Sequence, residues 1–303
     1  MRVLLIGATG WLGGHVATAL GALPAARLLT AGRTGTDVPL DLATVGAADL
    51  RAAADELRPD VVINCAGAVS GEDAALVAVD AHGAAVLCAG LRRTRHRARL
   101  VHLGSSAEYG PGTAGGSLTE AAAPRPLGAY GVSKLAGSLA VAAADLDAVV
   151  LRVFNAVGPG AAAGSLPGRL AAELRGALRS GTAGDGGVVR VGPMAGHRDF
   201  VDVRDVARAV VTAAAAPAGL PRIINIGSGR ARPVRAIAEG LVQASGFTGT
   251  ISETGPGSIR SAALSWQQAD VSRAGRALGW RPEIPLAQSL ADLWSSVAAG
   301  PRE

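Results

Sequence analysis

The chain of 303 residues carries 29 basic side chains, and one of them, Lys134, is lysine. The other 28 are arginine, so the exception calls for a chemical reason. Lys134 follows Tyr130, one of two tyrosines, by four residues. On a helix that spacing puts both side chains on one face, about 6 Å apart along the axis. A compact ammonium on a flexible stem can sit beside a phenol, stabilise its phenolate and reach a ribose hydroxyl. A planar guanidinium has the wrong shape for this and never gives up its charge. A free phenol titrates near pH ~10, and an adjacent cation brings that value toward the range where it exchanges a proton with a carbonyl or an alcohol. The pair reads as general acid–base chemistry. An exposed Tyr and Lys on an amphipathic helix is the plainer reading of the same spacing, and four residues alone do not choose between them.

Such a pair needs a scaffold, and the first thirty residues describe one. Val3-Leu4-Leu5-Ile6 is a short apolar run, and Val16, Leu20 and Leu23 follow at helical spacing. Between them Gly7-Ala8-Thr9-Gly10-Trp11-Leu12-Gly13 has the GxxGxxG spacing of a dinucleotide phosphate turn. Glycine lets the backbone approach a pyrophosphate, and the helix start offers unpaired N–H groups and a positive dipole end. With a strand before it and a helix behind it, this turn is expected to bind cofactor through Gly7, Thr9, Gly10, Trp11, Leu12 and Gly13.

The second strand, Arg27 to Ala31, ends in Gly32-Arg33-Thr34, where an acidic residue would hold the ribose hydroxyl of NAD. A guanidinium there suits a 2′-phosphate, so NADP(H) is favoured and NAD(H) remains the alternative. Asp41-Leu42 comes next, and Val61 to Asn64 makes a third strand closing in Cys65-Ala66-Gly67, small enough to lie under a cofactor. A helix from about Asp73 to Leu91, a strand Leu100 to Leu103 ending at Gly104-Ser105-Ser106, and a strand Val149 to Val153 complete the alternation. Near-continuously apolar strands separated by helices indicate an α/β fold, a doubly wound parallel sheet covered on both faces. Ligands then bind beyond the carboxyl ends of the strands, where Gly7, Arg33, Asn64, Ser105 and Asn155 fall.

Composition bounds the rest. Nearly half the residues are apolar, which supports a large core and excludes a disordered chain. Gly7, Gly10, Gly13 and Gly14 interrupt the N-terminal apolar run, no stretch approaches ~20 apolar residues, and two cysteines read as buried fillers. A cytoplasmic protein without a membrane partner is expected. The net charge of +5 raises nucleic acid as a partner, but the basic cluster Arg92 to Arg99 lacks an aromatic residue for base stacking and reads as a solvated connection.

Taken together, these pieces resemble the extended short-chain dehydrogenase/reductase family, specifically its nucleotide-sugar epimerases, dehydratases and 4-ketoreductases. The resemblance covers almost the full length. Beyond the glycine turn and Asn64 to Gly67 it includes Gly104-Ser105-Ser106-Ala107-Glu108-Tyr109-Gly110, Tyr130-Gly131-Val132-Ser133-Lys134 and Arg152 to Pro159. Arg198 to Ala207, Asn225 to Gly229, and Asp270 to Ala274 with Leu278-Gly279-Trp280 complete it. It implies a Rossmann domain over residues 1–155, with 199–227 returning to it, and a smaller substrate-binding domain mainly over 156–303. It implies that Ser105 hydrogen-bonds the reacting oxygen, Tyr130 protonates it, and Lys134 holds the nicotinamide ribose. Cofactor contacts would extend to Arg33, Asp41, Leu42, Cys65, Ala66 and Gly67. Ser106, Glu108, Asn155, Arg198 and Arg260 would meet a nucleotide-sugar, the two arginines bracketing its diphosphate. A homodimer through the helices flanking the active-site segment is common among similar proteins.

Asp80 departs from the family pattern, which has asparagine there, and His82 reads as a helix-surface residue. The acidic pair that dehydratases carry falls here on Ser106 and Ala107, so an elimination would lack its acid and base. Arg33 and this absence favour NADPH-dependent reduction of a 4-keto-6-deoxyhexose. An epimerase or dehydratase with retained NAD is the alternative, and a non-enzymatic NADP-binding sensor a third reading. No metal site is expected.

Overall fold

The computed structural model describes residues 1–162, 164–179, 187–254 and 264–299. In chain order the strands are β1 (Arg2–Ile6), β2 (Arg27–Gly32), β3 (Val38–Pro39), β4 (Val61–Asn64), β5 (Arg99–Ser105), β6 (Ala148–Val153), β7 (Asn155–Val157), β8 (Val188–Arg190), β9 (His197–Asp202), β10 (Ile223–Ile226), β11 (Ala231–Pro233) and β12 (Thr250–Ser252). The helices are α1 (Trp11–Gly21), α2 (Ala47–Leu57), α3 (Asp73–Leu76), α4 (Gly83–Leu91), α5 (Gly128–Ala142), α6 (Leu166–Arg179), α7 (Val203–Ala215), α8 (Arg235–Ser245), α9 (Ser272–Leu278) and α10 (Leu286–Ala298).

Seven strands form one parallel sheet in the order β3-β2-β1-β4-β5-β6-β10. β4, β6 and all but one residue of β5 are buried along their length, because helices cover both faces. Successive residues of β1 divide between two cores: Val3 and Leu5 pack with Val16 and Leu20 of α1 and Val206 and Val210 of α7. Leu4 and Ile6 pack on the other face with Leu50 of α2, Leu87 of α4 and Val141 of α5. Strand order reverses between β1 and β4, which opens a crevice at their carboxyl ends.

A second sheet, β11-β9-β7, and the pair β8 with β12 belong to the later half. Their core gathers Leu170 and Leu174 of α6, Ile237 and Leu241 of α8, and Leu290 and Leu293 of α10. The leucine stripe of α6 is therefore packing surface. The chain returns to the main sheet through α7 and β10, whereas residues 199–202 finish β9 in the second sheet.

Three features depart from expectation. The short strand β3 at the sheet edge carries Pro39, a residue tolerated there because an edge strand leaves N–H positions unused. The helix Asp73 to Leu91 is interrupted by a π-helical turn over Val77–His82. This run is long and apolar enough to cross a membrane by length and composition, yet here it packs on α2 and α5. Within the basic cluster, Arg92, Arg93, Arg95 and Arg97 are exposed, but Arg99 is buried against Asp147, Nη2 to Oδ2 2.8 Å.

Candidate active site

The glycine turn is held by close approach. Gly7 has φ +83°, and a Cβ there would lie 2.6 Å from the amide nitrogen of Ala66, at the end of β4. A Cβ on Gly13 would stand 2.0 Å from the Gly7 carbonyl oxygen, so α1 can start only if both positions lack a side chain. No side chain caps α1 at Gly10, which leaves the first-turn N–H groups facing the crevice as an anion cradle. Trp11 and His15 are spent structurally: Nε1 and Nε2 lie 2.7 and 3.0 Å from the Pro159 carbonyl. A contact of Trp11 or Leu12 with a phosphate would thus run through backbone, since the Leu12 side chain packs on the core. Thr9 is exposed and its methyl lies 3.9 Å from a Cβ placed on Gly35, so the loop carrying exposed Arg33 adjoins the phosphate turn.

At the next positions, Asp41 Oδ1 accepts the Ala43 N–H at 3.0 Å and Leu42 is buried in the core. Their side chains brace the turn after β3, and only backbone or the remaining carboxylate oxygen is left for a cofactor. Desolvation pushes the Cys65 thiol up to about 12, so it stays neutral and acts as filler.

The catalytic candidates converge on the ends of β4 and β5. Lys134 is 6% exposed, its Nζ donates to the Leu103 carbonyl at 2.7 Å, and it lies 3.4 Å from a Cβ placed on Gly67. Half-buried Tyr130 lies one helical turn earlier on α5. A Cβ on neighbouring Gly131 would come 2.8 Å from the Ala107 carbonyl, which docks the start of α5 on the turn after Ser105. Ser105 caps that turn: its Oγ accepts the Ala107 N–H at 3.2 Å, and its own N–H donates to Glu108 Oε1 at 2.7 Å. Lys134 therefore adjoins the Cys65–Gly67 floor and the end of β5, where Ser105 also lies.

One substrate assignment is corrected here. Glu108 is fully buried: Oε2 takes the Arg152 Nε at 2.6 Å, and Oε1 takes the Ser138 hydroxyl at 2.8 Å and the Ser105 N–H. It positions the serine turn and does not reach a sugar. Burial pushes its carboxyl up against the opposing pull of Arg152. Ser106 is also buried, and its carbonyl accepts from Gln267 Nε2 at 3.1 Å. Arg198 is 5% exposed, and its guanidinium donates to the carbonyls of His197 and Leu264 at 2.9 and 2.6 Å. Burial lowers its basicity. Arg198 sits at the start of β9, and Arg260, its expected companion, lies outside the described residues. Asn155 is half-buried and donates to the Asp199 carbonyl at 2.9 Å.

Sequence reasoning missed the buried polar groups beneath the crevice. His102 on β5 is 1% exposed. Asn64 Oδ1 accepts the Ala66 N–H at 3.1 Å, so Asn64 Nδ2 is the donor to His102 Nδ1 at 3.1 Å, and the ring proton sits on Nε2. Burial first, and Lys134 second, pull His102 down to about 3 from 6.5. The folded protein holds this ring neutral, whereas the unfolded chain takes up a proton below pH 6.5. Stability from His102 is therefore present above 6.5 and is lost as pH falls toward 3, at a rate approaching about 1.4 kcal/mol per pH unit. Urea melts at pH 7 and pH 5.5 should show this loss, and His102→Gln should remove about 1 kcal/mol of the difference.

Comparison with known proteins places the chain in a family. Residues 3–227 match the NAD dependent epimerase/dehydratase family. The chain is 34% identical, over 99% of its length and 96% of the relative's, to a dTDP-6-deoxy-L-talose 4-dehydrogenase (NAD(P)(+)) of Kitasatospora kifunensis. Among solved structures, the UDP-glucose 4-epimerase of Thermus thermophilus in complex with NAD superposes with TM-score 0.82 at 25% identity, covering 99% of this chain and 100% of that one. RMD of Pseudomonas aeruginosa complexed with NADPH superposes with TM-score 0.83 at 23% identity, covering 98% and 99%, a likeness of fold. The chain belongs to the NAD-dependent epimerase/dehydratase family, within the extended short-chain dehydrogenase/reductases, and is an oxidoreductase of that family.

Proposed function

We propose that the protein catalyses NADPH-dependent reduction of the 4-keto group of a nucleotide-linked 4-keto-6-deoxyhexose. The observation that supports this reading is buried Lys134 at the end of β5, one helical turn after Tyr130 on α5, beside the Ser105 turn whose next two positions, Ser106 and Ala107, carry no carboxylate. The relative is a dTDP-6-deoxy-L-talose 4-dehydrogenase (NAD(P)(+)), and dehydrogenation of a C4 alcohol is the reverse of the kind of reduction proposed here.

A bound reduced nicotinamide supplies the hydride that forms the new C–H bond at C4. Tyr130 gives its phenolic proton to O4 as the carbonyl π bond breaks, and the product is the secondary alcohol. The Ser105 hydroxyl donates a hydrogen bond to that oxygen and so favours the charge that develops on it. Lys134 holds the ribose and offsets the charge left on the phenolate. Residues 1–155 with α7 and β10 would bind the cofactor, and the later half, including Asn155, the nucleotide-sugar.

Elimination of water would need an acid and a base beside Ser105. The two positions are Ser106 and Ala107, and Glu108, the nearest carboxylate along the chain, is buried in its pair with Arg152. Retained-NAD chemistry is disfavoured by Arg33, which is exposed beside the phosphate turn. Incubation with dTDP-4-keto-6-deoxyhexoses should consume NADPH, followed at 340 nm, with one alcohol formed per NADPH. No consumption with any epimer, or tightly bound NAD released on denaturation, would favour the epimerase reading. Arg33→Asp should raise KM for NADPH about tenfold or more and shift preference to NADH, since removing a charge-assisted contact costs about 1.5–3 kcal/mol. Unchanged preference would place the 2′-phosphate elsewhere.

A further inference from the structure

The π-helical turn Val77–His82 carries a carboxylate that the reaction above does not use. A π turn widens a helix locally and often marks a functional position. Asp80 here is 2% exposed, with Oδ1 3.8 Å from Lys134 Nζ. Oδ1 accepts the Ala68 N–H at 3.2 Å and Oδ2 accepts the Ser133 hydroxyl at 3.2 Å. A Cβ on Gly67 would lie 3.0 Å from Oδ1, and one on Gly137 would lie 2.1 Å from the Asp80 carbonyl. The π turn, the catalytic helix and the cofactor floor therefore close on one carboxylate. Burial pushes that carboxyl up, while Lys134, the Ala68 N–H and the Ser133 hydroxyl pull it down. Lys134 and the Ala68 N–H are donors and suit an ionised oxygen, whereas the Ser133 hydroxyl, also 3.0 Å from the Tyr130 carbonyl, can give its one proton to either oxygen.

We propose that Asp80 is a positioning residue for the acid–base pair: its carboxylate holds the Lys134 ammonium and offsets part of the positive field reaching Tyr130, which sets the upper pH limit of reduction. The inference rests on the reading of Tyr130 and Lys134 as that pair. The family's asparagine would keep one acceptor for the Ala68 N–H and present a donor NH2 to Ser133, without the charge. With aspartate the phenol keeps its proton to higher pH, which extends reduction toward alkaline conditions and opposes alcohol oxidation.

The surroundings leave few other charges to do this. Facing elements carry Lys134 and Tyr130 on α5, Cys88 on α4, Asp73 on α3, Cys65 after β4 and His102 on β5, and exposed His82 lies on the π turn itself. Burial holds Cys65 near 12, Cys88 near 11 and His102 near 3, so these three are neutral between pH 5 and 9.

The test uses the full chain saturated with NADP+, without sugar, and follows tyrosinate absorbance near 295 nm from pH 6 to 11. Two tyrosines are present, and Tyr109 is buried, bonded to Asn225 at 2.8 Å and pushed up, so the first step reads Tyr130. Tyr130→Phe should abolish that step; if it persists, the assignment of the acid fails, separately from the present proposal. Asp80→Asn should move the step down by about one pH unit, and the alkaline limb of NADPH consumption with it. Asp80→Glu should restore the wild-type midpoint. If Asp80→Asn does not fold, Asp80→Ser must show the same downward shift. An unchanged midpoint in a folded, NADP+-saturated uncharged variant overturns the proposal and leaves Asp80 a packing residue.

Discussion

Replacing Tyr130 by phenylalanine is expected to lower turnover about 10²–10⁴-fold and leave NADPH affinity nearly intact. The phenol is half-buried at the start of α5, and Phe retains the ring that packs there. What is lost is the phenolic proton assigned here to the reacting oxygen, which Lys134, turned to the Leu103 carbonyl, and buried Glu108 are not placed to supply. Fluorescence titration of NADPH and single-turnover reduction separate the two effects. Wild-type single-turnover rates in the variant would exclude Tyr130 as the acid.

Glu108→Ala is expected to destabilise the fold by about 3–5 kcal/mol, the cost of leaving a buried charge without its partner. Arg152 is 1% exposed, reaches Glu108 Oε2 at 2.6 Å and stacks 4.5 Å over the Tyr109 ring. Desolvation weakens its basicity, and Glu108 with Tyr109 more than offsets this. The double change Glu108→Gln with Arg152→Met should recover most of the loss, since neither side chain then carries a charge to desolvate. Denaturant melts give both values. Stability in Glu108→Ala within about 1 kcal/mol of wild type would show that water reaches Arg152. Because Oε1 also holds the Ser105 N–H, turnover in the single variant should fall further than its folded fraction does.

The parallel sheet was legible because β1, β4, β5 and β6 each carry a mainly apolar run and lie between helical periods. The glycine turn was legible for a related reason: backbone contacts of 2.6 and 2.0 Å tolerate no side chain at Gly7 and Gly13, so the requirement is written in residue type. The two-residue strand β3 was not legible, as an edge pairing that short has no period of its own. Glu108 was misplaced because a charged residue in a site-like stretch looks the same whether it faces a ligand or an internal partner.

Residue type and local spacing alone determined the strand–helix alternation, the phosphate turn and the Tyr130–Lys134 pair, since each depends on neighbours a few positions apart. Tertiary structure alone decided that Glu108 pairs with Arg152 at 44 residues' separation, that His102 is held neutral, and that a π turn aims Asp80 at Lys134. Burial and long-range charge pairing set those outcomes, and neither has a period along the chain.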